Sequence, residues 1–206
     1  MKESKIVSII LLSAVAIFAV FYLSTRNMDM PQNQAMPWQS HKDSNNNTVV
    51  FNLTIGSSDL TDAMRLLGSE VKASLFENEG KNPELEIFFS STKVGGISAK
   101  VILNLIIDNA NIDILAANIR ESMVMPSGVR KTTFNLAAES SMFGLKIKSL
   151  TFIPSTDLSQ DTIISRFGKP SSVDVVEQGL EYWYYPTKGL RIIVDSDGKE
   201  ILEFYN

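Results

Sequence analysis

Ser90-Ser91-Thr92-Lys93 carries the Ser-x-x-Lys spacing of serine acylases. That chemistry needs the serine at a helix N-terminus and the lysine one turn later. Here the tetrapeptide closes an alternating run that reads as a strand, where positions three apart point to opposite faces. A polar strand end is the better reading. Ser196-Asp197-Gly198-Lys199 has the same spacing inside a hairpin turn. Asn109-x-Asn111-x-Asp113 has the start of a calcium loop, but Ile114 stands where that loop needs glycine. Arg120 stands where it needs a bidentate glutamate. Asp195-x-Asp197-Gly198 lacks its first ligand, because Ile193 is there. Gly95-Gly96 is too short to cradle a phosphate. Glu84 with Glu86, and Glu200 with Glu203, are expected on solvated surfaces. There is no Cys, which excludes thiolate zinc sites and Cys nucleophiles, and one His. That His41 lies in a polar stretch with nothing to orient it. The sequence therefore points to no catalytic, cofactor-binding or metal residue, and to a protein that is not an enzyme.

Aromatic strands are the stronger signal. Leu85 to Ser91 and Leu180 to Tyr185 are both apolar and aromatic. Side chains alternate between faces along a strand. Leu85, Ile87, Phe89, Leu180, Tyr182 and Tyr184 form one charge-free set, expected to face the core. Glu86, Phe88, Ser90, Glu181, Trp183 and Tyr185 form the other, mixing carboxylates with rings as a binding face would. Tyr and Trp concentrate binding energy at interfaces. Phe88, Trp183 and Tyr185 are thus the expected protein-binding residues. The plainer alternative packs these rings against each other or under the middle of the chain.

The elements that must carry them are legible from Thr48 onward. TVVFNLTI (48–55) reads as a strand. Ser57-Ser58-Asp59 can cap a helix from Leu60 to Leu67, closed by Gly68. Three antiparallel strands follow, at 71–76, 85–91 and 99–108. The last third repeats that order: a strand at 145–153, a helix from about Ser159 to Phe167 closed by Gly168, and strands ending in an Asp197-Gly198 turn. Ser57-Ser58-Asp59-Leu60 matches Ser155-Thr156-Asp157-Leu158, and LEIFFSSTK (85–93) matches LEYWYYPTK (180–188). A duplicated unit explains the shared order better than chance. Residues 109–144 have mixed periodicity, with a turn at Met125-Pro126-Ser127-Gly128 and a strand-like KTTFNLAA.

Phe152 to Phe204 resembles the BamE/SmpA family of small envelope lipoproteins. The resemblance rests on a short strand, a capped helix ending Phe167-Gly168-Lys169-Pro170, the Tyr182-Trp183-Tyr184-Tyr185 strand and the Asp197-Gly198 hairpin. The first copy, with Thr54-Ile55-Gly56-Ser57 before its helix, is a fainter match. Two such units in tandem look like the architecture of the β-lactamase-inhibitor protein. The chain lacks the lipobox Cys, and Pro154 stands near the family's glycine. The resemblance implies a non-enzymatic interaction module facing the cell envelope.

Of the 206 residues 44% are hydrophobic, so a packed core is expected. The net charge of −4 argues against nucleic acid as partner. Ile6 to Leu23 is apolar except for two serines and would span about 27 Å as a helix. Lys2 and Lys5 before it favour a cytoplasmic N-terminus. A cleaved signal peptide is the rival reading, but the run is long for one and ends in Phe21-Tyr22-Leu23. A buried core helix is the third. The resulting expectation is α+β: residues 1–4 cytoplasmic, 5–24 a transmembrane signal anchor, 25–47 a flexible linker, then two related units at 48–108 and 145–206. Residues 109–144 connect the units, and each unit packs a short helix on an antiparallel sheet. The expected function is a non-catalytic inner-membrane protein, single-pass, whose periplasmic domain binds an envelope protein for assembly, scaffolding or inhibition. Two alternatives stand beside it. One is an accessory subunit acting through its transmembrane helix, with Ser13, Ala16 and Ala19 as a close-packing strip. The other is an anchored hydrolase using serine or carboxylates. No cofactor and no small-molecule substrate are evident.

Overall fold

Leu60, Ala63 and Leu67 recur at helical spacing, and they are the buried residues of helix α1 (Leu60–Leu67). Asp59 starts the helix: its carboxylate accepts from the Asp62 N–H at 3.1 Å, and the Asp62 carboxylate accepts from the Asp59 N–H. These bonds satisfy two of the donors a helix leaves open at its N-terminus. Gly68 ends it at φ 105°, a conformation costly for any other residue. The computed structural model describes residues 35–206.

Strand TVVFNLTI does not run straight. It folds back as β2 (Thr48–Val50) and β3 (Leu53–Thr54), with Phe51 and Asn52 at φ 52° and 63° between them. Two successive positive φ values are what a tight two-residue hairpin demands. Phe51 accepts that conformation and is fully buried, its ring 5.1 Å from Phe152 and 6.1 Å from Phe204. β1 (His41–Lys42) completes this small sheet in the order β1-β2-β3. Residues 35–47 were expected in the linker. Instead Pro37 to Gln39 form a 3-10 turn, Pro37 is buried, and Trp38 packs edge-on against Phe167 at 6.3 Å.

The remaining strands are β4 (Val71–Glu77), β5 (Glu84–Val94), β6 (Ile97–Leu105), β7 (Ile119–Val124), β8 (Arg130–Phe134), β9 (Ile147–Pro154), β10 (Ser172–Glu177), β11 (Leu180–Tyr185), β12 (Leu190–Asp195) and β13 (Ile201–Phe204). All ten join one antiparallel sheet, ordered β10-β11-β12-β13-β9-β6-β5-β4-β8-β7. Helices α2 (Asn109–Ala116), α3 (Leu136–Met142) and α4 (Gln160–Phe167) lie between strands in sequence. The segment 109–144 thus supplies two helices and the β7–β8 hairpin at one edge of the sheet.

This corrects the expected fold class. The described residues are mostly β, and the two α+β units are not separate sheets. β6 pairs with β9 along Ala99 to Leu105, and β9 pairs with β13, so the hydrogen-bond ladder crosses from the first copy into the second. The physical cause is apolar continuity. Val101, Leu103 and Leu105 stand opposite Phe152, Leu150 and Ile147, and each is buried. The expected span at 5–24 lies outside the described residues. Among the described residues no helix is long and apolar enough to cross a membrane. The transmembrane, signal-anchor and inner-membrane expectations are therefore unsupported and are withdrawn.

One face of the sheet carries the core. Leu85, Ile87, Phe89, Val101, Leu150, Phe152, Ile192, Leu202 and Phe204 share it. All four described helices bury residues in that same cluster, including Leu67, Leu115, Met142 and Phe167. No described helix buries a residue on the opposite face, which is left open.

Candidate functional site

The strand pairing separates the three expected binding residues. Trp183 stands opposite Ile192 and Tyr185 opposite Leu190, so both share the packed face with β12's core residues. Trp183 is 5% exposed and Tyr185 4%. Their polar ends are satisfied inside the fold: Trp183 Nε1 donates to Glu181 Oε2 at 2.7 Å, and Tyr185 Oη donates to the Gly168 carbonyl at 3.2 Å. Burial pushes the Tyr185 hydroxyl up to about 12. Both residues are therefore removed from the binding face. Phe88 alone of the three lies on the open face, opposite Ile102 and half-buried.

The error is one of register. Aligning Leu85 with Leu180 set Phe88 beside Trp183. In the fold Ile87 and Trp183 are both core residues, so the two strands are out of step by one. A one-residue slip exchanges every side chain between faces. The true counterparts of Phe88 are Tyr182 and Tyr184, which sequence reasoning had assigned to the core. β12 held the missing signal. Leu190, Ile192 and Val194 alternate with Arg191 and Asp195, and a hairpin closing at Tyr185–Leu190 forces Tyr185 inward.

A row of directly paired residues crosses the open face: Phe88, Ile102, Thr151, Glu203, Arg191 and Tyr184. Arg191 Nε donates to Glu203 Oε2 at 2.7 Å, and its guanidinium lies 4.9 Å from the Tyr182 ring centroid. That end of the row is locked by its own contacts.

The other end is not. β8 pairs with β4 only from Ser74 to Glu77, whereas β5 pairs with β4 from Val71 to Phe76. Beyond Ser74 the chain of β8 turns away at Asn135, whose N–H donates to the Asn118 carbonyl. Among the described residues, the outer edge of Val71, Lys72 and Ala73 has no strand beside it. A concavity of about 450 Å³ opens there. Its aromatic floor is Phe76 and Phe88, and its charged groups are Lys72, Arg120, Lys131 and Glu86. Lys131 Nζ sits 5.6 Å from the Phe76 ring centroid, and Arg120 donates to Thr133 Oγ1. Lys72 has no ion pair among the described residues. Burial raises the Glu86 carboxyl above its ordinary value; Glu84 pushes the same way and Lys131 opposes. Three cations thus share this lining with one carboxylate that ionises reluctantly, and of the three Lys131 acts on it. Sequence reasoning missed Lys72, Arg120 and Lys131 because they come from three strands whose adjacency depends on the β4–β8 pairing.

The other motifs are structural. Thr92 Oγ1, inside the Ser-x-x-Lys tetrapeptide, donates to the Leu67 carbonyl at 2.9 Å and closes α1. Asp108 and Asn111 cap α2 reciprocally. The Asp197 N–H donates to Asp195 Oδ1 in the β12–β13 turn. Glu200 is buried and accepts from the Leu158 N–H at 2.7 Å. His41 is exposed, its Nδ1 3.1 Å from the Gln39 carbonyl. No family model, curated protein or solved structure matches this chain.

Proposed function

We propose that this chain is a non-catalytic binding module that takes up an extended, acidic segment of a protein partner along the outer edge of β4. The observation that carries this reading is the departure of β8 after Ser74, which leaves the outer edge of Val71 to Ala73, across β4 from Phe88, without a described neighbour strand. An added strand gains main-chain hydrogen bonds from such an edge and specificity from alternate side chains. Lys72, Lys131 and Arg120 supply the charge that selects acidic residues, and Phe76 and Phe88 supply apolar area. The surrounding protein is acidic overall, so this cluster is a local exception. The resemblance to the BamE/SmpA family implies an interaction module as well.

The test is selection from a displayed library of random linear peptides against the full-length chain. Selected peptides should alternate Asp or Glu with apolar residues, and Lys131→Glu should stop their binding while circular dichroism stays unchanged. Peptides without acidic bias, or equal binding by a folded Lys131→Glu variant, would refute the site.

A further inference from the structure

On the packed side of the sheet a second concavity of about 390 Å³ lies beside α4, lined in part by residues of β6, β9 and β13. Its walls include Trp38, Phe152, Pro154, Ile163, Phe167 and Leu202. These come from the 3-10 turn, β9, α4 and β13, so the space exists only in the folded chain. Its size falls within the range of small-molecule sites, which are mostly apolar with a few placed polar groups. The polar groups here are the hydroxyls of Ser98, Thr156 and Thr162 and the guanidinium of Arg166.

Arg166 is the only charged residue in this lining among the described residues. Its guanidinium lies 4.9 Å from the Trp38 ring centroid. Stacking on the indole holds the cation at the rim while leaving its N–H donors free for a ligand. No described carboxylate pairs with it, and none among the described residues lines the cavity. An apolar trough with one unneutralised cation at its mouth is complementary to an amphipathic anion. A cationic amphiphile would be opposed by Arg166, and a neutral one would gain no ion pair from it.

We infer that this cavity is a binding site for a small amphipathic carboxylate, with its apolar body against the partly exposed Trp38, Ile97 and Leu158 and its carboxylate on Arg166. The two sites lie on opposite faces of the sheet and share no lining residue, so either can fail without the other.

The experiment titrates the full-length, nitrogen-15-labelled chain with octanoate, octylamine and octanol. The two tryptophan indole signals are followed, assigned with a Trp183→Phe variant. Octanoate should move the Trp38 signal saturably and leave Trp183 in place, because the Trp183 indole is held by Glu181. Octylamine should bind at least tenfold more weakly. Arg166→Met keeps the packed stem and should reduce octanoate binding to the level of octanol, while Arg166→Lys should retain part of the preference. The spectra themselves report whether each variant is folded. An unmoved Trp38 signal, octylamine binding equal to octanoate, or full octanoate affinity in folded Arg166→Met would each overturn the inference.

Discussion

Trp183 faces Ile192 directly across the β11–β12 ladder, and both are buried against the helices. A ring that looks like an exposed contact in the sequence is a structural member of the core. Trp183→Ala should therefore destabilise the chain by about 3–5 kcal/mol, the usual cost of deleting a buried aromatic. The check is the urea unfolding midpoint. Tyr185→Phe removes only the bond to the Gly168 carbonyl and should cost about 1 kcal/mol.

Phe88 should behave oppositely. It is half-buried on the open face, so Phe88→Ala should cost under about 1 kcal/mol of stability, the scale of one cross-strand pair. Binding of a selected acidic peptide should nevertheless weaken by at least tenfold, read by calorimetric titration. A large loss of stability with unchanged binding would contradict this.

Gly189 lies at φ 55°, and a Cβ there would sit 2.7 Å from the Tyr205 carbonyl and closer still to Thr48 Oγ1. Thr48 in turn donates to that carbonyl, and its N–H donates to Asn206 Oδ1 at 2.7 Å. Gly189→Ala should push the β2–β3 hairpin off β13 and cost about 1–3 kcal/mol, as strain at special backbone positions does. Thermal unfolding measures the loss, and amide exchange at Thr48 to Thr54 should accelerate ahead of the rest.

Glu86 gives the pH dependence. Its carboxyl is raised above the ordinary glutamate value by burial, then by Glu84. The folded state therefore holds this proton more tightly than the unfolded state. Stability from this group rises as pH falls through the raised value and levels off below the unfolded one. Above the raised value the half-buried charge is carried at a cost. Glu86→Gln should stabilise the chain at neutral pH, and the difference from wild type should shrink as the solution is acidified through that window. Paired urea titrations across the window provide the measurement.

The local elements of this chain were legible because their signals are local. Asp59 and Gly68 bound α1, and Ser159 and Gly168 bound α4. The strand runs between them appear close to where alternation placed them. The hairpin inside 48–55 was not legible, because nothing in TVVFNLTI announces that Phe51 will adopt a positive φ. Tertiary contact with Phe152 and Phe204 rewards that conformation. The joining of two similar halves into one sheet depends on β6 meeting β9, a pairing between residues about fifty apart in sequence. The candidate site shows the same division. Phe88 was found from alternation within one strand, while its cationic neighbours required the order of the sheet. The exchange of Trp183 for Tyr184 came from matching identical letters between the copies when the periodicity of the next strand was the better guide.

The bonds from Thr48 to Tyr205 and Asn206 also order events in time. A ribosome releases residue 48 long before residue 206, so Phe51 has no Phe204 to pack against while the intervening chain is being made. α1 and the β4–β6 meander can form early from nearby residues. The β2–β3 hairpin must wait, leaving its apolar residues to be sheltered by other means until the last strand arrives. Long-range closure of this kind slows folding and lengthens exposure to aggregation.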